Sequence, residues 1–172
     1  RSPVRGWHEL RGGELILNLR KEVLKDLVNP SLIARRIEHT SFSASTKLTF
    51  NTKKKSERAG LVIYRRSKNH FQFLKDNNEL VLMRTSKGIE KEIIRMDYTE
   101  DTVILRAETH GRRLVFSYGK SEKEMMIVNE EQDMNVISYE LSEGFNGPYI
   151  GIYATSMGQE SDNQAFFDWF EY

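Results

Sequence analysis

The chain is 172 residues long, with 26 basic and 25 acidic residues, a net charge of +1 and no cysteine. That length supplies one ordinary hydrophobic core, and the balanced charge offers neither the basic excess that attracts nucleic acid nor the acidic excess that keeps a chain unfolded. Without cysteine there is no disulfide framework, thiolate metal site or thiol nucleophile, and the compartment stays open between cytoplasm and periplasm or exterior. No apolar run approaches the roughly 20 residues needed to cross a bilayer, and the start RSPVRGWHEL has no signal-peptide core, so no membrane and no nucleic-acid partner is expected. The start also lacks an initiating Met and reads as a fragment of a longer polypeptide.

In chain order, Trp7 sits beside Gly6 in a loop-like opening, and the apolar period then settles near two in runs rich in Val, Ile, Thr, Tyr and Phe. Strands are predicted at 15–19, 32–38, 41–50, 60–65, 71–75, 79–84, 91–96, 102–108, 113–118, 125–129, 149–154 and 164–172. Segment 20–27 alone has helical character. Short polar turns separate the strands at Arg11-Gly12-Gly13, Lys75-Asp76-Asn77-Asn78, His110-Gly111-Arg112 and Tyr118-Gly119-Lys120. The stretch GFNGPYIGIYA, residues 144–154, predicts an exposed loop running into a buried strand. The closing AFFDWFEY, residues 165–172, is aromatic on both faces and predicts a strand deep in a sheet, where the two ends of the chain meet. Many short strands joined by tight turns give one all-β domain over 1–172, a two-sheet antiparallel sandwich of jelly-roll type.

The search for chemistry is mostly negative. Glycoside hydrolysis on such a sandwich needs two carboxylates facing one another, one protonated and one ionised. The alternating Glu-x-Asp-x-Glu string of lectin-like glucanases is absent, and the acidic residues nearest to a pair, Glu90 with Glu92 and Glu130 with Glu131 and Asp133, sit beside turns in polar surroundings. His8, His39, His70 and His110 lack metal-ligand spacing, and neither a G-x-S-x-G elbow nor a phosphate-cradling glycine loop occurs. What remains is aromatic. Trp7, Tyr64, Phe71, Phe73, Tyr149 and Tyr153 could stack on sugar rings or simply fill the core, with Trp7 and Phe71 the candidates for an independent carbohydrate-binding face. Trp7 and Phe145, each beside glycine, fit a core least well.

Several phrases together resemble one family, the C-terminal β-sandwich (concanavalin A-like) module of glycoside hydrolase family 43 β-xylosidases and α-arabinofuranosidases. They are NPSLIARRIEH at 29–39, FSASTKLTF at 42–50, ERAGLVIY at 57–64, GFNGPYIG at 144–151 and AFFDWF at 165–170, in register along the chain, with RSPVRGWHELRGGELIL similar to the family's entry segment. The first departs from the family pattern at Ile37, where Gln is usual. The middle, 68–135, matches only as generic hairpins.

The resemblance implies a non-catalytic module whose partner is an N-terminal catalytic propeller in the same polypeptide, performing inverting hydrolysis of xylo-oligosaccharides or arabinosides. It implies a loop whose aromatic residue, here Phe145, closes the substrate pocket against the sugar. Arg35 and Arg36 fall on opposite faces of one strand, so with His39 they are candidates for an interface or a buried ion pair. Asp168, set between aromatics, takes compensation from Arg36 or from a structural calcium, the one cofactor considered, unless both groups are simply solvated. An apolar patch near Phe145, left by a missing propeller, could drive a homo-oligomer.

Overall fold

The computed structural model describes residues 6–138 and 147–172. Within them the chain order is β1 (His8–Arg11), β2 (Glu14–Asn18), β3 (Ser31–Arg36), β4 (Ser41–Thr49), β5 (Arg58–Arg66), β6 (Asn69–Asp76), β7 (Glu79–Ser86), β8 (Ile89–Asp97), β9 (Thr102–His110), β10 (Arg113–Gly119), β11 (Met125–Ile127) and β12 (Gln132–Asp133). A single 3-10 turn (Met134–Ile137), β13 (Tyr149–Thr155) and β14 (Gln164–Glu171) complete it. The antiparallel sandwich expected from the alternating pattern is what forms. One sheet runs β1-β2-β14-β4-β9-β10-β11, with β12 also on β10, and the other runs β3-β13-β5-β6-β7-β8.

Turn chemistry fixes the hairpins. Gly12 and Gly13 both hold positive φ (64° and 90°) between β1 and β2, the geometry that matches strand twist in a two-residue hairpin. Asn77 (φ 54°) turns β6 into β7, and Lys87 with Gly88 (51° and 84°) turns β7 into β8. The strands missed by pattern, β1 and β12, are short and exposed or two residues long, so they carry little alternation to read.

Alternation sends one face of each strand inward. Leu48, Val103, Leu105, Leu114, Phe116 and Phe167 from the first sheet meet Leu61, Ile63, Phe71, Phe73, Leu82 and Ile152 from the second, all buried. Each fully buried Leu or Phe stabilises by about 1.5–3 kcal/mol, so this inter-sheet layer is the main source of stability and is complete within the chain. Segment 20–27 is a turn-containing strap with no helix. Asp26 caps its turn by accepting from the Val23 amide (3.0 Å), and backbone amides of Ser156 and Gly158 donate to the carbonyls of Arg20 (2.9 Å) and Lys21 (2.8 Å). Leu24 at its centre is buried against Val62, Leu74, Val81 and Tyr153 on the outer face of the second sheet. Tertiary burial of one leucine overrides the weak helical pattern.

The closing strand departs from expectation in one respect. It lies between β2 and β4, so the chain ends do meet within a sheet, but its register shifts between Phe167 and Trp169. Asp168 is the residue left unpaired at this bulge; it lies on the outer face, opposite in direction to buried Phe167, and its carboxylate pairs with Lys47 Nζ at 2.9 Å. Asp168 is therefore not enclosed by aromatics and needs no buried partner.

A carboxylate outside the candidate set holds the entry to β14. Glu57 is fully buried, and its oxygens accept from the backbone amides of Lys53 (2.7 Å) and Lys54 (3.1 Å), the Ser161 hydroxyl (2.7 Å) and the Asn163 side-chain amide (2.8 Å). Burial pushes the Glu57 carboxyl up, but the bonds from Ser161, Lys53, Asn163 and Lys54 outweigh it and hold the group below its ordinary value. Replacing Glu57 by Ala strands these donors, so urea unfolding of Glu57→Ala should show a loss of about 3 kcal/mol; a change under about 0.5 kcal/mol would mean the clip is dispensable.

Candidate functional site

The segment expected to carry function, residues 139–146, connects the 3-10 turn to Gly147 in the chain. Phe145 lies outside the described residues, but both limbs of its loop are anchored. On the departing limb, Asn69 donates from its side chain to the Val136 carbonyl (2.8 Å) in a buried position, and the Met134 amide donates to the Arg112 carbonyl (2.8 Å). On the returning limb, the Ile37 amide donates to the Pro148 carbonyl (2.9 Å), continuing the β3–β13 pairing by one bond. Arg36 passes beside Gly147, where a Cβ would lie 3.3 Å from its Nε, a contact that a small shift of this exposed side chain relieves.

Between these limbs opens a groove of about 480 Å³, with Ile37, Met134, Ile137 and Pro148 among its apolar lining and Arg65, Arg112 and Glu38 among its charged residues. One wall is the β3–β4 turn, and that turn is held by Tyr172. The Tyr172 hydroxyl accepts from the backbone amides of Glu38 (2.9 Å) and His39 (3.2 Å) and lies 3.1 Å from His39 Nδ1. Arg35 stacks over the Tyr172 ring at 4.1 Å and pairs with Glu38 at 3.5 Å. Arg35, Arg36 and His39 are thus all exposed. The buried ion pair expected for them does not form, because β3 is an edge strand and both of its arginines reach solvent; Arg36 does not meet Asp168. A larger groove, about 610 Å³, lies at the other end of β10 beside Tyr98, Tyr118 and Met126 and is remote from the loop limbs.

The calcium considered at Asp168 does not fit. Its carboxylate already faces the Lys47 ammonium, and among the described residues no three acidic or histidine side chains converge on a common point. Of the five acidic residues nearest to a pair in the sequence, four face bases: Glu90 with Lys25 (3.4 Å), Glu92 with Arg95 (2.8 Å), Glu131 with Arg113 (2.5 Å) and Asp133 with Arg112 (2.6 Å). The hydrogen bond from Arg95 holds Glu92 below its ordinary value, the opposite of what a general acid requires.

The aromatic candidates divide by sheet face. Phe71 and Phe73 are wholly buried against Phe116, with ring centroids 6.2 and 5.4 Å away, so Phe71 offers no face to a sugar. Trp7 is half-buried, packing on the core and beside His8. Tyr64, Tyr149 and Tyr153 instead sit on the outer face of the second sheet, where Tyr64 stacks on His70 with centroids 5.8 Å apart. His70 is fully buried under the strap. Burial, the largest influence on it, depresses its pKa below 6.5 despite the Arg66 carbonyl and Glu90.

With these features in place, the architecture defines a concanavalin A-like sandwich. All 172 residues match the family described as the beta xylosidase C-terminal concanavalin A-like domain, and the chain belongs to that family. It is 32% identical over 162 residues to a xylosidase/arabinosidase of Butyrivibrio fibrisolvens, covering 92% of this chain and 31% of that protein. It is 26% identical to the non-reducing end alpha-L-arabinofuranosidase BoGH43B of Bacteroides ovatus, covering 100% of this chain and 34% of that one. Among solved structures, xylan beta-1,4-xylosidase from Bacillus halodurans C-125 superposes with TM-score 0.87 at 25% identity, over 95% of this chain and 34% of the other. The GH43 protein BlXynB from Bacillus licheniformis reaches 0.91 at 24% identity, over 98% and 35%, and supports the fold. The chain thus spans about a third of the length of each of these proteins.

His70 makes stability depend on pH in a defined window. Because the folded-state pKa is depressed, the unfolded chain takes up the proton first as pH falls, so stability is full above about pH 6.5 and declines below it. The Glu57 contribution is lost only below about pH 4.5. Urea midpoints should therefore fall between pH 7 and 5.5, and His70→Gln should flatten that slope; an equal slope in both proteins would assign the effect elsewhere.

Proposed function

We propose that this chain is the non-catalytic accessory domain of a family 43 xylosidase or arabinofuranosidase, that it buttresses a catalytic propeller in the same polypeptide, and that it lends Phe145 to that propeller's substrate pocket. The observation that carries this reading is the anchoring of the two loop limbs at one end of the sandwich, beside an apolar groove. A loop that must hold one aromatic ring at a pocket built by another domain needs rigid roots, since its free energy of ordering is otherwise lost from binding. The buried Asn69–Val136 bond and the Ile37–Pro148 bond supply such roots. The coverage of about a third of xylosidases and arabinosidases leaves, in those proteins, the remainder of the chain for catalysis.

The exposed Arg35, Arg36 and His39 edge and the groove beside it form the surface on which the propeller would dock: apolar at the centre, charged at the rim, as transient and intrachain interfaces are built. On this reading the substrate is a xylo-oligosaccharide or arabinoside, and Phe145 contributes apolar closure over the sugar while proton transfer is left to carboxylates of the propeller. An independent sugar-binding face built on Trp7 and Phe71 is disfavoured by the burial of Phe71.

In the intact parent enzyme, Phe145→Ala should lower kcat/KM for a short xyloside or arabinoside about ten-fold, close to 1.4 kcal/mol, with unchanged melting temperature. Steady-state kinetics and calorimetry on the same preparation check this. Unchanged kcat/KM would remove Phe145 from the pocket.

A further inference from the structure

The outer face of the six-stranded sheet holds polar groups that neither the core nor the docking surface uses. Across its strands one register row places Tyr149 opposite Tyr64, Tyr64 opposite His70, His70 opposite Thr85 and Thr85 opposite Glu90. Where the strap of residues 20–27 crosses the sheet it leaves a pocket of about 50 Å³, lined by Leu24, His70, Gln72, Tyr153 and Glu90 among others. His70 Nδ1 lies 3.2 Å from the Arg66 carbonyl, which can only accept, so the proton sits on Nδ1 and a neutral ring presents Nε2 as an acceptor. That Nε2 and the Tyr153 hydroxyl are buried in the pocket lining and neither makes a hydrogen bond of good geometry among the described residues, although Thr155 and the Leu24 backbone approach the Tyr153 hydroxyl.

Each such orphan costs about 1–3 kcal/mol, and two of them lining one pocket ask for a ligand with hydroxyl groups. The surrounding charges do not ask for an ion. Lys25 pairs with Glu90 at 3.4 Å, and Arg58, whose Nε is a further buried donor without a partner, pairs through Nη2 with Asp76 at 2.9 Å, so each charge lining the pocket already has an opposite charge beside it. The volume admits a hydroxyl or hydroxymethyl group and excludes a whole sugar ring. A ring bound through such a group would remain at the mouth, on the side where the half-buried tyrosines 64 and 149 run.

We infer that this pocket is a second saccharide site, distinct from the Phe145 loop, in which a neutral sugar inserts one hydroxyl-bearing edge to pair with His70 Nε2 and Tyr153 while its apolar face rests on the tyrosine row. It serves to hold a neutral oligosaccharide on the domain surface, separately from any pocket the propeller provides.

The test is a titration of the 172-residue chain with xylotriose and with cellotriose, following backbone amides and the His70 ring nitrogens by NMR, with glycerol as a control. Saturable shifts at His70, Tyr153 and Leu24 are expected with at least one trisaccharide, without an equal response to glycerol. Tyr153→Phe, which keeps the ring in place, should weaken binding at least five-fold, and Tyr64→Ala, on the half-buried platform, should do the same. The proposal is overturned if neither trisaccharide gives saturable shifts, which would mean ordered water alone satisfies the pocket. It is overturned equally if glycerol binds as well, or if both variants bind like the parent chain.

Discussion

The last strand of the chain lies between β2 and β4, and the sandwich cannot close without it. Before β14 arrives, β1 and β2 are an isolated hairpin, which is marginal in water. Once it pairs, Ala165 and Phe167 enter the inter-sheet layer and the first sheet becomes continuous. Both ends of this strand are fastened. At its entry the buried Glu57 carboxylate ties Asn163 and Ser161 to the β4–β5 connection; just beyond its exit Tyr172 holds the amides of Glu38 and His39. The second fastening shapes the β3–β4 turn, one wall of the groove beside the Phe145 loop. The strand that completes the core therefore also sets the surface on which the proposed partner would sit.

The same closure explains why this domain looks chemically quiet. A two-sheet sandwich turns its apolar faces inward and its charges outward, and here Glu90, Glu92, Glu131 and Asp133 each meet a lysine or arginine. Arginine hydrogen bonds hold Glu92 and Asp133 below their ordinary values, whereas glycoside hydrolysis needs one carboxyl kept protonated. The groups with depressed or unsatisfied polarity, Glu57 and His70, are buried in separate places and serve stability in one case and a hydroxyl-seeking pocket in the other.

Much of the fold was legible because alternation is a direct consequence of strand geometry. The runs at 60–65, 71–75 and 102–108 fall inside β5, β6 and β9, with Leu61, Phe71 and Leu105 facing in as their spacing demands. The strap at 20–27 was misread as helical because its one decisive contact, Leu24 on Tyr153, joins residues far apart in sequence. Asp168 was misplaced for a similar reason: a β-bulge resets the period, and nothing in AFFDWFEY announces it. Phe71 obeyed the core alternative that its alternating neighbours favoured. The pocket around His70 was the least visible feature: His70, Glu90 and Tyr153 stand out in the sequence one by one, but nothing there brings β6, β8, β13 and the strap together. Glu57 stood in the phrase ERAGLVIY, yet its role depends on Ser161 and Asn163, a hundred residues on.

The central proposal is that this chain folds around its own core and leaves hydrolysis to a partner domain. Its most direct test is prolonged incubation of the purified 172-residue chain with nitrophenyl xyloside and nitrophenyl arabinofuranoside. The account predicts nitrophenol release no faster than in buffer, from a protein that melts cooperatively. Release above that background, co-purifying with the chain and abolished by neutralising one of its own carboxylates, would contradict it.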